Sequence, residues 1–163
     1  MSKLRFIPLL LLLLAGCRPE SEYPDEPVIE FKSFEVTGDE GVLIIGFTDG
    51  DGDIGLKESD IYPPFDTSSF YFNNIFLNYE EKVNGAWVAG TDINGDPIVF
   101  AFRVPYVTPE GQNKALKGEI KVRISPIFYN PNSVNSDTVR FKVKLYDRTL
   151  HESNEIITDE IVH

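Results

Sequence analysis

Val139-Arg140-Phe141-Lys142-Val143-Lys144-Leu145-Tyr146-Asp147 decides the fold class. Apolar and polar side chains alternate along it, the period of a strand with one face on a core and the other in water. The same period runs through Glu119-Ile120-Lys121-Val122-Arg123-Ile124. It also runs from Ile29 through Val36, with a slip at Ser33-Phe34. Val42-Leu43-Ile44-Ile45-Gly46-Phe47 is a short apolar run rich in β-branched residues and reads as a central strand. Residues 74–83 read as a strand that turns at Asn84-Gly85 and returns through Ala86-Trp87-Val88. A turn at Asn94-Gly95-Asp96-Pro97 precedes a strand over residues 98–104, and residues 156–162 form the last one. No stretch keeps a 3.6-residue period, so helix is confined to a short turn near residues 109–116. The chain is therefore expected to be all-β, a sandwich of seven or eight antiparallel strands.

Composition narrows the function. The chain has 163 residues, 42% hydrophobic and 25% charged, which suits one domain and excludes collagen, coiled coil and wholesale disorder. One Cys excludes a disulfide framework and a Cys-based zinc site, and two His leave little room for His-rich metal chemistry. A formal charge of −11 repels nucleic-acid phosphates.

The N-terminus reads as a targeting segment. Lys3 and Arg5 precede an apolar stretch from Phe6 to Leu14, too short to span a hydrocarbon core of about 30 Å. Leu14-Ala15-Gly16-Cys17 resembles the lipobox of bacterial lipoproteins, in which Cys17 becomes the lipidated first residue. Residues 1–16 are then a lipoprotein signal peptide. Their removal takes away Lys3 and Arg5 but no acid, so the mature chain is more acidic still. Residues 17–27 are rich in Pro and acids and read as an extended, solvated tether. An acidic stretch just after the Cys resembles the surface-export signal of Bacteroidota lipoproteins. The expected location is the outer membrane, anchored by lipid and facing outward.

Asp49, Asp51 and Asp53 alternate with Gly50 and Gly52, and Asp60 is the twelfth residue from Asp49. Calcium takes several carboxylate and carbonyl oxygens, and Gly between Asp lets the chain curl so that carboxylates converge. The loop departs from the helix-flanked calcium loop, since Ile54 stands where the sixth-position Gly belongs and no helices flank it. The four Asp are candidate calcium ligands of another loop type. A plain polar turn after a strand is the alternative.

Several segments together carry a resemblance: Phe47-Thr48-Asp49-Gly50-Asp51-Gly52-Asp53-Ile54-Gly55-Leu56, Pro63-Pro64-Phe65, Thr108-Pro109-Glu110-Gly111, Asn113-Lys114-Ala115-Leu116-Lys117-Gly118-Glu119-Ile120, and Asp147-Arg148 with Ser153-Asn154. With the lipobox, they resemble a family of small Bacteroidota outer-membrane lipoproteins that have an immunoglobulin-like domain and no established activity. The resemblance implies an immunoglobulin-like sandwich over residues 28–163, and it supplies no function. In that strand order the loop after the second strand and the loop before the last share a pole. Asp147 would then either add a carboxylate to the Asp site or cap its own loop by accepting from the amide of Thr149 or Leu150.

Enzyme signatures are sparse. The Gly-x-Ser-x-Gly, His-Glu-x-x-His and phosphate-loop patterns are absent from the sequence. His151 reads as an exposed loop residue and His163 as a frayed terminus. Trp87 and the aromatic stretch Tyr62, Phe65, Phe70, Tyr71, Phe72 and Phe76 are the candidates for a contact surface, against a reading as ordinary sheet and loop packing. The expected function is a non-enzymatic interaction or accessory module held to the membrane through Cys17, with a protein or glycan partner. A surface glycan-binding lipoprotein and a glycosidase-like enzyme are the alternatives.

Overall fold

The structure is a computed structural model that describes residues 23–109 and 114–163. Its strands, all antiparallel, are β1 (Val28–Thr37), β2 (Glu40–Asp49), β3 (Ile75–Val83), β4 (Ala86–Ala89), β5 (Val99–Phe102), β6 (Leu116–Ile124), β7 (Thr138–Leu145), β8 (Ile156–Ile157) and β9 (Ile161–Val162). A single 3-10 turn, Phe70–Phe72, is the only helical element among the described residues. One sheet has the order β1-β2-β6 and the other β4-β3-β7-β8, with β5 also on β3 and β9 also on β7. This is the Greek-key order of an immunoglobulin-like sandwich. Leu43, Ile45 and Phe47 from β2 meet Leu77, Tyr79, Phe141 and Val143 from the facing sheet in one buried core.

Among the described residues the strand count is nine, not seven or eight, because two edge strands are broken. β4 pairs with one half of β3 and β5 with the other, along the same edge and in the same direction. Residues 90–98 loop out between them, pinned where the Gly90 amide donates to Tyr79 O at 3.0 Å and the Tyr79 amide to Ile98 O at 3.1 Å. Gly90 is required there, since a Cβ would lie 2.3 Å from the Tyr79 ring. At the other edge Thr158 interrupts the pairing with β7. Its amide donates to Phe141 O at 3.0 Å, and its Oγ1 accepts from the Phe141 amide at 3.0 Å. β8 and β9 are consequently one residue out of register with each other.

The slip at Ser33-Phe34 is a β-bulge between Phe31 and Ser33. The extra residue turns both Phe31 and Phe34 toward the core. Phe34 packs against Phe128 and Phe141, with ring centroids 5.4 and 5.5 Å away. The Asn84-Gly85 hairpin forms as expected, with φ of 51° and 83°, the pairing that a two-residue primed turn demands. His163 does not fray. Its ring stacks on Tyr129 at 3.7 Å and its Nε2 lies 2.7 Å from Ser136 O. The expected signal peptide, Cys17 and the first part of the expected tether lie outside the described residues. So do residues 110–113 of the expected short turn.

Ser153 and Asn154 close the structure. Ser153 Oγ accepts from the Leu145 amide at 3.0 Å. Asn154 reaches across to β1, its Oδ1 accepting from the Ile29 amide at 2.8 Å and its Nδ2 donating to Ile29 O at 2.9 Å. One amide side chain thus serves as a ladder rung between the two sheets. Asn154→Ala strips both partners from the backbone of a buried residue. It is expected to lower unfolding free energy by about 2 kcal/mol with an unchanged denaturant slope, measured by urea titration.

Candidate metal centre

β2 ends in Asp49, whose side chain is completely buried. The chain curls immediately after it. Asp49 Oδ2 accepts from the Asp53 amide at 2.8 Å, which closes a tight loop. The glycines make the curl possible. Gly52 has φ +75°, and a Cβ on it would lie 2.1 Å from Lys114 O, while a Cβ on Gly50 would lie 2.3 Å from Tyr23 O. The carboxylates of Asp49, Asp51 and Asp53 each place an oxygen within 4.8 Å of the others. Oδ1 of all three is buried and has no hydrogen-bond partner. Buried polar atoms are almost always partnered, and an unpaired buried charge is costly, so three such oxygens converging mark a place for a cation.

Electrostatics agree with this geometry. Burial pushes the Asp49 carboxyl from 3.8 up to about 6. The Asp53 amide opposes the rise, and the charges of Asp51, Asp53 and Asp147 add to it. Asp51 is raised by burial, then by Asp53 and Asp25. Asp53 is raised by burial and then by Asp147, against hydrogen bonds from Thr149.

The loop after β7 joins the same pole, as expected. The Thr149 amide donates to Asp53 Oδ2 at 3.1 Å, and the Arg148 amide to Asp53 O at 3.3 Å. Asp147 is the cap and not a free ligand. Its Oδ1 accepts from Thr149 Oγ1 at 3.1 Å and from the His151 amide at 2.8 Å, and its Oδ2 lies 2.9 Å from His151 Nδ1. The amide it engages is thus four residues on, because the Thr149 amide is taken by Asp53. The Asp147 charge raises the His151 imidazole above its usual range.

Asp60 stands apart from the other three. Arg148 donates to its two oxygens at 3.1 and 3.2 Å, and the Lys57 amide donates to Oδ2 at 2.9 Å. Burial alone would raise its carboxyl, but the Lys57 amide and Arg148 outweigh that and lower it. Arg103 braces the same loop. Its guanidinium donates to Phe72 O at 2.6 Å, Lys57 O at 3.1 Å and Asp60 O at 2.6 Å. The sequence reading passed over Arg103 and Arg148. The course of the chain before Val28 had a signal: strands 28–36 and 42–49 joined by a tight turn bring the residues just before Val28 alongside Gly50.

Among the candidate aromatic residues, Phe70, Tyr71 and Phe76 pack on one another and on Tyr146, Phe72 faces Arg103, and Tyr62 is exposed. Phe70 stacks on Phe76 with centroids 4.4 Å apart, and Tyr146 meets both edge-on. Tyr71 meets Phe70 and Tyr146 in the same way. The Arg140 guanidinium lies 4.4 Å from the Trp87 ring centroid. These rings serve the outer face of the larger sheet and do not form a coplanar platform.

The buried Asp49 gives a pH prediction with a definite sign. Its native pKa lies above the unfolded one, so its contribution is full below about 3.8 and is lost as pH rises through about 6. In chelator-treated protein, Asp49→Asn is expected to gain on wild type by about 2 kcal/mol between pH 4 and pH 7. Paired urea titrations across that range measure it.

No family model, curated protein or solved structure matches this chain.

Proposed function

We propose that this chain is a lipid-anchored, non-enzymatic lipoprotein of the outer membrane, facing outward. Its immunoglobulin-like domain acts as an interaction or accessory module, and a calcium ion on Asp49, Asp51 and Asp53 stiffens one pole of it. The observation that carries the cation is the set of three buried, unpartnered carboxylate oxygens within one small loop. The donors are all hard oxygens, which favours calcium or magnesium over zinc or copper. Calcium fits better, because it tolerates irregular geometry and fills its shell of six to eight oxygens from backbone and water. Asp60 is not part of this ligand set, since Arg148 holds it. The anchor rests on Leu14-Ala15-Gly16-Cys17. Among the described residues no helix is long and apolar enough to cross a membrane.

Calorimetric titration of calcium into chelator-treated protein tests the site. Saturable binding is expected, with a melting temperature that climbs with calcium. The gain is about 2.7 kcal/mol at a hundredfold excess over Kd. Asp51→Ala is expected to weaken binding strongly while the fold persists. A millimolar affinity with no shift in melting would leave a plain turn.

Membrane fractionation tests the anchor. Cys17→Ser is expected to appear in the soluble fraction or to remain as unprocessed precursor. A Cys17→Ser protein that is processed and membrane-bound like wild type contradicts it.

A further inference from the structure

β3 carries two consecutive glutamates with opposite surroundings. Glu80 lies on the outer face of the larger sheet, where Arg140 Nε and Lys142 Nζ reach it at 2.6 and 2.7 Å. Glu81 points the other way, on the face that Leu77 and Tyr79 bury in the core. It is only 6% exposed, and among the described residues no cation pairs with it. Ser133 Oγ donates to its Oε2 at 2.6 Å, while Oε1 is buried without a hydrogen-bond partner. The hydroxyls beside it, of Ser133 and Tyr79, are neutral, so the charge of Glu81 stays uncompensated.

Glu81 forms part of the wall of a groove of about 390 Å³ at the pole away from the Asp loop, with Val88, Thr91, Ile93, Asn130 and Ser133 around it. Among the described residues that line this groove there is no Lys, Arg or His. Asn130 ties its walls together, its Nδ2 donating to Thr91 O at 3.0 Å. Ile93 is 85% exposed and Val88 48%, so two apolar side chains stand open to solvent beside the buried carboxylate.

We infer that this groove takes a lysine side chain of a protein partner, its ammonium meeting Glu81 and its methylene stem lying along Val88 and Ile93. The inference rests on the reading of the domain as an interaction module, and is independent of the calcium ion and of the anchor. A groove with a buried carboxylate and no positive charge is complementary to a cation. The hydrogen bonds select an ammonium over a guanidinium. Oε2 already serves Ser133, so the pair of oxygens that a guanidinium grips is not free. A compact ammonium needs one carboxylate oxygen and finds other acceptors for its remaining protons. The terminal torsion of a glutamate is broad, so Oε1 can turn to the ligand while Oε2 keeps Ser133. A lysine stem covers apolar surface, which Val88 and Ile93 supply.

The test is titration of the isotope-labelled full-length protein with the capped tripeptide acetyl-Ala-Lys-Ala-amide, followed by backbone amide shifts in NMR. Saturable shifts are expected at Gly90, Thr91, Asn130 and Ser133, with a Kd on the order of 1 mM. The same peptide acetylated on Nε should bind at least about tenfold more weakly, and the peptide with Arg in place of Lys about threefold more weakly. Putrescine should also bind more weakly, because its second ammonium would lie against Val88 and Ile93. Glu81→Gln keeps an acceptor for Ser133 and removes the charge, and should lose the binding. Val88 stands directly opposite Glu81 in the β3–β4 register, so Val88→Lys should fill the site from within, block the peptide and raise the melting temperature.

Equal shifts with the Nε-acetylated peptide, or wild-type binding by Glu81→Gln, overturn the ammonium site. Should Glu81→Gln fail to fold, undiminished binding by Val88→Lys overturns it instead. Tighter binding of the Arg peptide or of putrescine overturns lysine as the occupant. No response to any probe overturns the site alone, and a partner cross-linked at other loops would still keep the interaction reading.

Discussion

The hydrogen bond from the Asp53 amide to Asp49 Oδ2, 2.8 Å long and at the buried end of β2, governs one whole pole of this protein. It folds the chain back within four residues, which only small residues at positions 50 and 52 permit. It turns the other Asp49 oxygen inward and brings Asp51 and Asp53 beside it. It also holds Asp53 where its remaining groups can receive the Arg148 and Thr149 amides. One short loop thus ties the first sheet, through β2, to the connection that follows β7 in the second. The charge concentration is the unfavourable side of this arrangement. Three carboxyls are held above their usual range by burial and by neighbouring carboxylates, Asp147 among them. Turn formation alone gives no reason for such a grouping, whereas a divalent ion neutralises it directly.

Beyond that loop the pole is held by side chains in place of a ladder. Arg103 gathers three carbonyls from residues 57–72. Asn74 Oδ1 accepts from the Val104 amide at 2.7 Å in a buried bond, while Asn74 O accepts from the Tyr146 amide at 2.8 Å. Arg148 pairs with Asp60 and lies 5.2 Å from the Tyr106 ring centroid. A guanidinium presents several donors in a fixed plane and stays charged when partly buried, so it can hold a long irregular segment that has few ladder bonds. These cations sit beside the Asp cluster without filling it, which leaves its inward oxygens free for an ion.

Periodicity made the sheets legible, because one buried face forces alternation on each strand. β7 shows it most clearly, since its Val139, Phe141, Val143 and Leu145 are all buried. The interruptions were harder to read. The Asn94-Gly95-Asp96-Pro97 turn marks the break at residues 90–98, but Thr158 breaks an edge strand, where one side of the ladder is open and a missing rung costs little, so composition carries no mark of it. In the candidate site, the Asp-Gly spacing alone placed Asp49, Asp51 and Asp53 together. Asp60 did not follow, because counting to twelve assumes a loop geometry that Ile54 and Gly55 do not provide, and Arg148 captures it from another part of the chain. The course of residues 23–27 was hidden for the opposite reason. Their Pro-rich, acidic stretch has the composition of a solvated linker, and only the β1–β2 register brings it alongside Gly50.

That register has a consequence for the proposed anchor. From Cys17 to Tyr23 only five residues intervene, and five extended residues span at most about 17 Å. Were residues 23–27 free, ten residues would intervene before Val28 and the span would be about 35 Å. Seating the tether on Gly50 therefore halves the reach available between a lipid on Cys17 and the sandwich. With the proposed anchor, the Asp pole, where the tether arrives, would face the bilayer. The opposite pole, with the Asn84-Gly85 hairpin and the loop over residues 125–137, is then directed outward. Glu81 and Ser133 meet near that pole at 2.6 Å, beside a groove of about 390 Å³ also lined by Thr91 and Asn130. On this reading the two poles divide the work. The acidic near pole sets the distance and stiffness of the mount, and the far loops are the surface a partner can reach.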